Sequence, residues 1–192
     1  MTNQQNPHAF GVFLREFLRD PRAIGALAPS SAALARQMAA LVPAGKGPVI
    51  ELGPGVGPVT RALLQAGIPG KQLILVERSA SLVLRLRQEF PELTVIHGDA
   101  GELSCLIKDH LPVRAIVSSL PLRSIPPTLV AKILAEFPKC ARPGTAYIQF
   151  TYHPKRASSG LSPHFHHDRR YFVWRNLPPA RVDRYLFQGH EH

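Results

Sequence analysis

The sequence predicts an α/β fold: a mostly parallel central sheet with helices on both faces, closed by a C-terminal antiparallel strand pair. Three observations carry this. Short apolar runs alternate with segments of helical periodicity, almost without exception, from Val49 to Tyr152. The runs are apolar throughout rather than at every second residue, which suits strands buried on both faces. Each of the first three runs closes on a glycine turn or a carboxylate, the place where ligands bind in an open parallel sheet. At 192 residues the chain suits one domain.

The elements follow in order. Phe10, Phe13, Leu14, Phe17 and Leu18 make the apolar face of an amphipathic helix over 8–20, with Arg15, Glu16, Arg19 and Asp20 opposite; Pro21 ends it. Residues 25–31 read as a loop, with Ser30 or Ser31 capping a helix that runs to about Leu41. Val49–Leu52 is a strand ending in Gly53-Pro54-Gly55-Val56-Gly57, and Val59–Ala66 is the helix behind it. Leu73–Val76 is a strand ending in Glu77, and Ser79 can cap the helix Ala80–Phe90. Leu93–Ile96 leads into Gly98-Asp99, followed by a weak helix over 101–108. Val113–Ser118 is the fourth strand, Pro127–Phe137 the next helix and Thr145–Tyr152 the fifth strand. After a histidine-rich loop, Arg170–Asn176 and Arg181–Phe187 form a pair turned at Pro178-Pro179. The expected organisation is a single domain over 1–192, with a core over 48–152 and a basic, substrate-facing region over 153–192.

Charge narrows the partners. The formal net charge is +10, which favours nucleic acid, an anionic membrane face or acidic substrates. Residues 139–192 hold nine Lys/Arg against three Asp/Glu, and six of the nine histidines. The two cysteines, Cys105 and Cys140, form no CxxC pair, so no disulfide scaffold is expected. The first eight residues lack an apolar signal core, and no apolar run approaches the ~20 residues that span a bilayer. The expected location is cytoplasmic, with access to a membrane from that side.

The strand ends carry the chemistry. Glycines let the backbone turn tightly and approach a ligand, and the helix behind them offers free N–H groups. Glu77, about 20 residues on, can accept both hydroxyl hydrogens of a ribose. Asp99, ending the third strand, can accept from an adenine amino group. A dinucleotide-binding domain would share the first two features, but its third glycine falls one residue later than Gly57.

ELGPGVG, LVERS and HGDA, at residues 51–57, 75–79 and 97–100, resemble the cofactor motifs of the class I S-adenosylmethionine-dependent methyltransferases, a Rossmann-like fold. The resemblance implies S-adenosylmethionine as cofactor and S-adenosylhomocysteine as product. It sets Gly53, Gly55 and Gly57 around the methionine part, with Glu51 helping to hold its amino group. Glu77 takes the ribose and Asp99 the adenine; Arg78, Ala100, Ser118 and Leu120 line the same site.

FLREFLRDPRAIGALAPSS, VSSLPLRSIP, IQFTYHP and WRNLPPARV, at residues 13–31, 117–126, 148–154 and 174–182, further resemble the bacterial phospholipid N-methyltransferases. These carry phosphatidylethanolamine toward phosphatidylcholine, and are themselves similar to the ribosomal RNA adenine dimethylases. An RNA N-methyltransferase is therefore the rival reading, and a non-catalytic membrane- or RNA-binding module a third. Adenine-methylating enzymes place an amide and an aromatic ring after the fourth strand. Here Ser119-Leu120-Pro121-Leu122 keeps the turn and lacks both, so a base has no stacking platform and no nucleic-acid partner is expected.

The implied partner is an aminophospholipid in an anionic membrane, met peripherally at its cytosolic face. Phe10, Phe13 and Phe17, with Arg15 and Arg19, either enter the membrane interface or pack on the sheet. The amine nucleophile must lose a proton before attack. His153 is a candidate acceptor, in competition with water, and Tyr152 can orient the amine or face its cation. Lys155, Arg156, Arg169 and Arg170 either hold a lipid phosphate or form a solvated basic face. His164, His166, His167 and Asp168 have metal-ligand chemistry, but the resembling family needs no metal and none is expected. An ornithine lipid is an alternative amine substrate.

Overall fold

The computed structural model describes residues 28–152, 161–176 and 179–189. The helix expected over 8–20 lies outside the described residues, and with it Phe10, Phe13, Arg15, Phe17 and Arg19.

Seven strands make one sheet. They are β1 (Val49–Leu52), β2 (Leu73–Glu77), β3 (Thr94–His97), β4 (Ala115–Ser118), β5 (Ala146–Thr151), β6 (Phe165–Val173) and β7 (Ala180–Phe187). Their order is β3-β2-β1-β4-β5-β7-β6. The first five run parallel. β7 is antiparallel to both β5 and β6, which gives the C-terminal antiparallel pair the sequence predicts. Every residue of β1, β2 and β4 is buried, the condition that makes a parallel strand read as a continuous apolar run.

Helices cover both faces. They are α1 (Ala28–Ala40), α2 (Pro58–Gln65), α3 (Ala80–Glu89), α4 (Leu103–Leu106) and α5 (Pro127–Cys140). Leu34, Met38, Leu63, Val83 and Leu86, from α1 to α3, join Val49, Leu73, Leu75 and Val117 in one core. Ile133, Leu134 and Phe137 of α5 meet Ile50, Leu52, Ile116 and Tyr147 in the other. Glu136 of α5 fastens α4, accepting from the Ser104 N–H at 2.8 Å and from its hydroxyl at 2.6 Å.

Three expectations are corrected. Residues 28–31 belong to α1 rather than to a loop, so neither Ser30 nor Ser31 stands before the helix as a cap. Ser79 occupies the cap position of α3, but its hydroxyl makes no cap hydrogen bond and lies 3.0 Å from that of Ser81. The histidine-rich stretch is not a loop: Phe165–Asp168 begin β6, five residues before the strand expected at Arg170. β6 lies at the edge, and all of His166–Phe172 is exposed. An edge strand solvated on both faces has no reason to alternate, and an irregularity in pairing between His167 and Arg169 breaks what alternation remains. The other boundaries stay in place or move by at most three residues.

Candidate active site

The carboxyl ends of β1, β2, β3 and β4 converge because backbone hydrogen bonds draw the following turns together. Gly53 N–H donates to Val76 C=O at 2.9 Å, Gly98 N–H to Glu77 C=O at 3.0 Å and Ser119 N–H to Leu52 C=O at 2.9 Å. Gly53, Gly55 and Gly57 have φ of +64°, +60° and +77°, the left-handed region where a side chain is costly. At Gly53 space adds a second constraint: a Cβ would stand 2.5 Å from Leu120 Cδ2. The turn and the loop after β4 touch through that missing side chain.

Glu77 is a junction. One carboxylate oxygen accepts from Ser79 N–H at 2.8 Å and the other from Gly55 N–H at 3.2 Å. A carboxylate offers about four acceptor sites, so each oxygen keeps capacity for a ligand hydroxyl while holding the glycine turn in place. Asp99 Oδ1 accepts from Gly101 N–H at 2.8 Å. Its Oδ2 lies 3.8 Å from Nε of Arg78, a side chain that is largely exposed.

Glu51 lies beneath the turn, fully buried. Thr60 donates to it at 2.7 Å and Ser119 at 3.4 Å. Burial raises its carboxyl to about 7, while these two hydroxyls pull the other way. Ser118 is fully buried as well.

Gly53, Glu77, Arg78, Asp99, Ala100 and Leu120 line one cavity of about 90 Å³. Its remaining wall comes from Val76, Gly98, Ile125, Leu129 and Ile133; Val76, Gly98 and Ile125 lie in the quoted motifs, whereas Leu129 and Ile133 lie outside them. Ile125, Leu129 and Ile133 follow i, i+4, i+8 spacing, the visible signal of an apolar stripe, though core packing explains such a stripe equally well. Ligand pockets commonly measure ~300–1,000 Å³, so the cavity in this form is narrower than a nucleoside needs.

At the end of β5, Tyr152 is 48 % exposed, with its ring edge-on to Phe150 at 5.5 Å between centroids. Partial burial raises its phenol above the ordinary value, against a hydrogen bond with Asn176. It is therefore protonated at neutral pH, a donor and a ring face rather than a base. His153, Lys155 and Arg156 lie outside the described residues.

The histidines of β6 separate. His167 Nε2 lies 3.2 Å from Asp183, and Asp168 on the bonded side pairs with Arg184. Among the described residues no three such side chains converge on one point. Asp183, which the sequence reading passed over, is 1 % exposed and also accepts from Arg170 Nε at 2.9 Å and Arg181 Nε at 2.8 Å.

No known family's sequence profile matches the chain. The N-methyltransferase NodS of Bradyrhizobium japonicum, solved with S-adenosylhomocysteine, superposes with a TM-score of 0.64 at 12 % identity, over 81 % of this chain and 85 % of that one. The fold is the Rossmann-like fold of the class I S-adenosylmethionine-dependent methyltransferases. The ornithine lipid N-methyltransferase of Singulisphaera acidiphila is 30 % identical over 177 residues, 89 % of this chain and 92 % of the relative. The chain belongs to the family of that enzyme. Ribosomal RNA small subunit methyltransferase A of Erythrobacter litoralis is 38 % identical over only 78 residues, 26 % of its length.

Proposed function

We propose that this protein is an S-adenosylmethionine-dependent N-methyltransferase that modifies the headgroup amine of a membrane lipid, working peripherally at the cytosolic membrane face. Phosphatidylethanolamine and ornithine lipid are the candidate headgroups, since each presents a primary amine on an acylated body. The observation that carries the reading is the turn after β4. Leu122 stands where a base-methylating enzyme needs an aromatic ring, and it packs into the core against the α5 side of the sheet. A lipid amine needs no such platform. The near full-length likeness to an ornithine lipid N-methyltransferase supports it.

The residues present suit the cofactor. The glycine turn presents bare backbone at three positive-φ positions, the buried Glu51 suits a cationic amino group above it, and Glu77 keeps acceptor capacity for two hydroxyls. When bound, S-adenosylmethionine supplies a methyl group already activated on its sulfonium. This chain's own residues then supply alignment and exclusion of water. Tyr152 orients the amine by its hydroxyl or by its ring face. The amine's proton leaves to water or to His153. Among the described residues no helix is long and apolar enough to cross a membrane; on the present reading the enzyme meets its lipid at the surface. Exposing an acyl chain costs ~0.8 kcal/mol per CH₂, which makes that route cheaper than extracting the lipid.

The test offers labelled S-adenosylmethionine with vesicles containing phosphatidylethanolamine, with vesicles containing ornithine lipid, and with ribosomal RNA. Label in either lipid is expected. Label in RNA alone overturns the reading.

A further inference from the structure

The tip of the β6–β7 hairpin carries apolar surface on a strongly basic edge. Trp174 is 74 % exposed and Phe172 44 % exposed. Their rings stack on each other, 5.6 Å between centroids and 20° between planes. Arg169, Arg170 and Arg175 are exposed around them. From Arg169 to Gln188 the only carboxylate is Asp183, which is buried. Two carboxylates stand against this charge, Asp183 at 2.9 Å from Arg170 Nε and Asp168 at 3.7 Å from Arg169 Nε, and the three guanidinium groups still outnumber them at the surface.

The register fixes where this tip points. Phe172 pairs with Arg181, and Arg181 pairs with Thr151 at the carboxyl end of β5. The β6–β7 turn therefore stands on the same edge of the sheet as Glu77, Asp99 and the turn after β4. Tyr152 is the next residue along β5 and adds its own exposed ring to that edge.

We propose that this hairpin tip is a membrane-docking element: Trp174 and Phe172 enter the interface of an anionic bilayer, and Arg169, Arg170 and Arg175 bind its headgroups. Tryptophan favours the headgroup level, where its ring is apolar and its N–H is wet. Arginines beside it are drawn to anionic lipid. Stacked on each other, the two rings offer a nucleic-acid base one face each instead of two, a poorer platform for single-stranded RNA. The choice of a bilayer rests on the lipid-amine reading above. Docked this way, the carboxyl edge of the sheet faces the membrane and a lipid amine reaches the site from its own leaflet.

Trp174 is the chain's single tryptophan, so it reports on itself. The full chain is mixed with phosphatidylglycerol/phosphatidylcholine vesicles, with phosphatidylcholine vesicles alone and with single-stranded RNA. The expected result is a blue shift of Trp174 emission and quenching by acyl-brominated lipid, on anionic vesicles only. The F172S/W174S variant should sediment with anionic vesicles about 10-fold less well while keeping its affinity for S-adenosylmethionine. That retained affinity shows the variant is folded. Vesicle binding with Trp174 left unquenched overturns the proposal, because another part of the chain would then be the anchor. A Trp174 response to RNA and not to vesicles overturns it too. If Trp174 is quenched by lipid and no lipid is ever methylated, docking stands and the substrate reading falls.

Discussion

Glu51→Gln should stabilise the protein, and increasingly so as pH rises. The Glu51 carboxyl is fully buried and titrates near 7, against 4.5 for the ordinary group. Between those values the folded chain binds more protons at this position than the unfolded chain. Stability therefore falls with rising pH across that window, and the loss is complete above about 7. At 1.36 kcal/mol per pKa unit, the shift from 4.5 to about 7 amounts to about 3 kcal/mol. Glutamine keeps the shape, stays neutral, and can still pair with the Thr60 and Ser119 hydroxyls. The difference between variant and parent should be near zero at pH 4, about 1 kcal/mol at pH 5 and about 3 kcal/mol at pH 8. Urea unfolding of both proteins at each pH measures it, and subtracting one curve from the other cancels every other titrating group. A difference that stays flat with pH would mean that Glu51 does not ionise in this window, and the account of its burial would be wrong.

Other expectations concern the same edge of the sheet and the C-terminal strands. Glu77→Ala should weaken S-adenosylmethionine binding by about 100-fold or more by calorimetry, since two hydrogen bonds to a charged acceptor contribute ~1.5–3 kcal/mol each. Unchanged affinity would remove Glu77 from the ribose. Gly53→Ala forces a left-handed φ of +64° and a contact with Leu120; the backbone alone costs ~1–2 kcal/mol, and Tm should fall by roughly 2–8 °C. Asp183→Asn leaves the buried Arg181 guanidinium without its carboxylate. It should destabilise the fold by ~3–5 kcal/mol, and a loss below ~1 kcal/mol would show that other partners carry Arg181.

What the sequence shows plainly is what burial and backbone geometry force. β1, β2 and β4 must be apolar on both faces, and the turn after β1 must be glycine where φ is positive, so both are legible in one dimension. β6 is the reverse case. Solvent accepts any polar residue on either of its faces, and nothing in FHHDRRYFV separates an edge strand from a loop. The Asp183 cluster is equally hidden, because His167 and Arg170 reach it across a strand pair that only the register creates, while Arg181 joins from two residues back along β7. Glu77 is half-legible: a carboxylate at a strand end announces a ligand, but its second task of holding Gly55 and Ser79 has no signature. Glu51 is similar, since its position after an apolar run says nothing about whether the carboxyl meets water.

The place of β7 has a consequence for how the chain is made. β7 lies between β5 and β6, yet it follows both in sequence. Until Ala180–Phe187 leaves the ribosome, β5 is an open edge with a row of unpaired N–H and C=O groups. The gap from Thr151 to Ala180 is about 30 residues, roughly 2–6 s of synthesis. Throughout that interval the buried residues of β5, Ala146 to Gln149, offer a ready template to any neighbouring nascent chain. The last hairpin is thus a clasp that closes late.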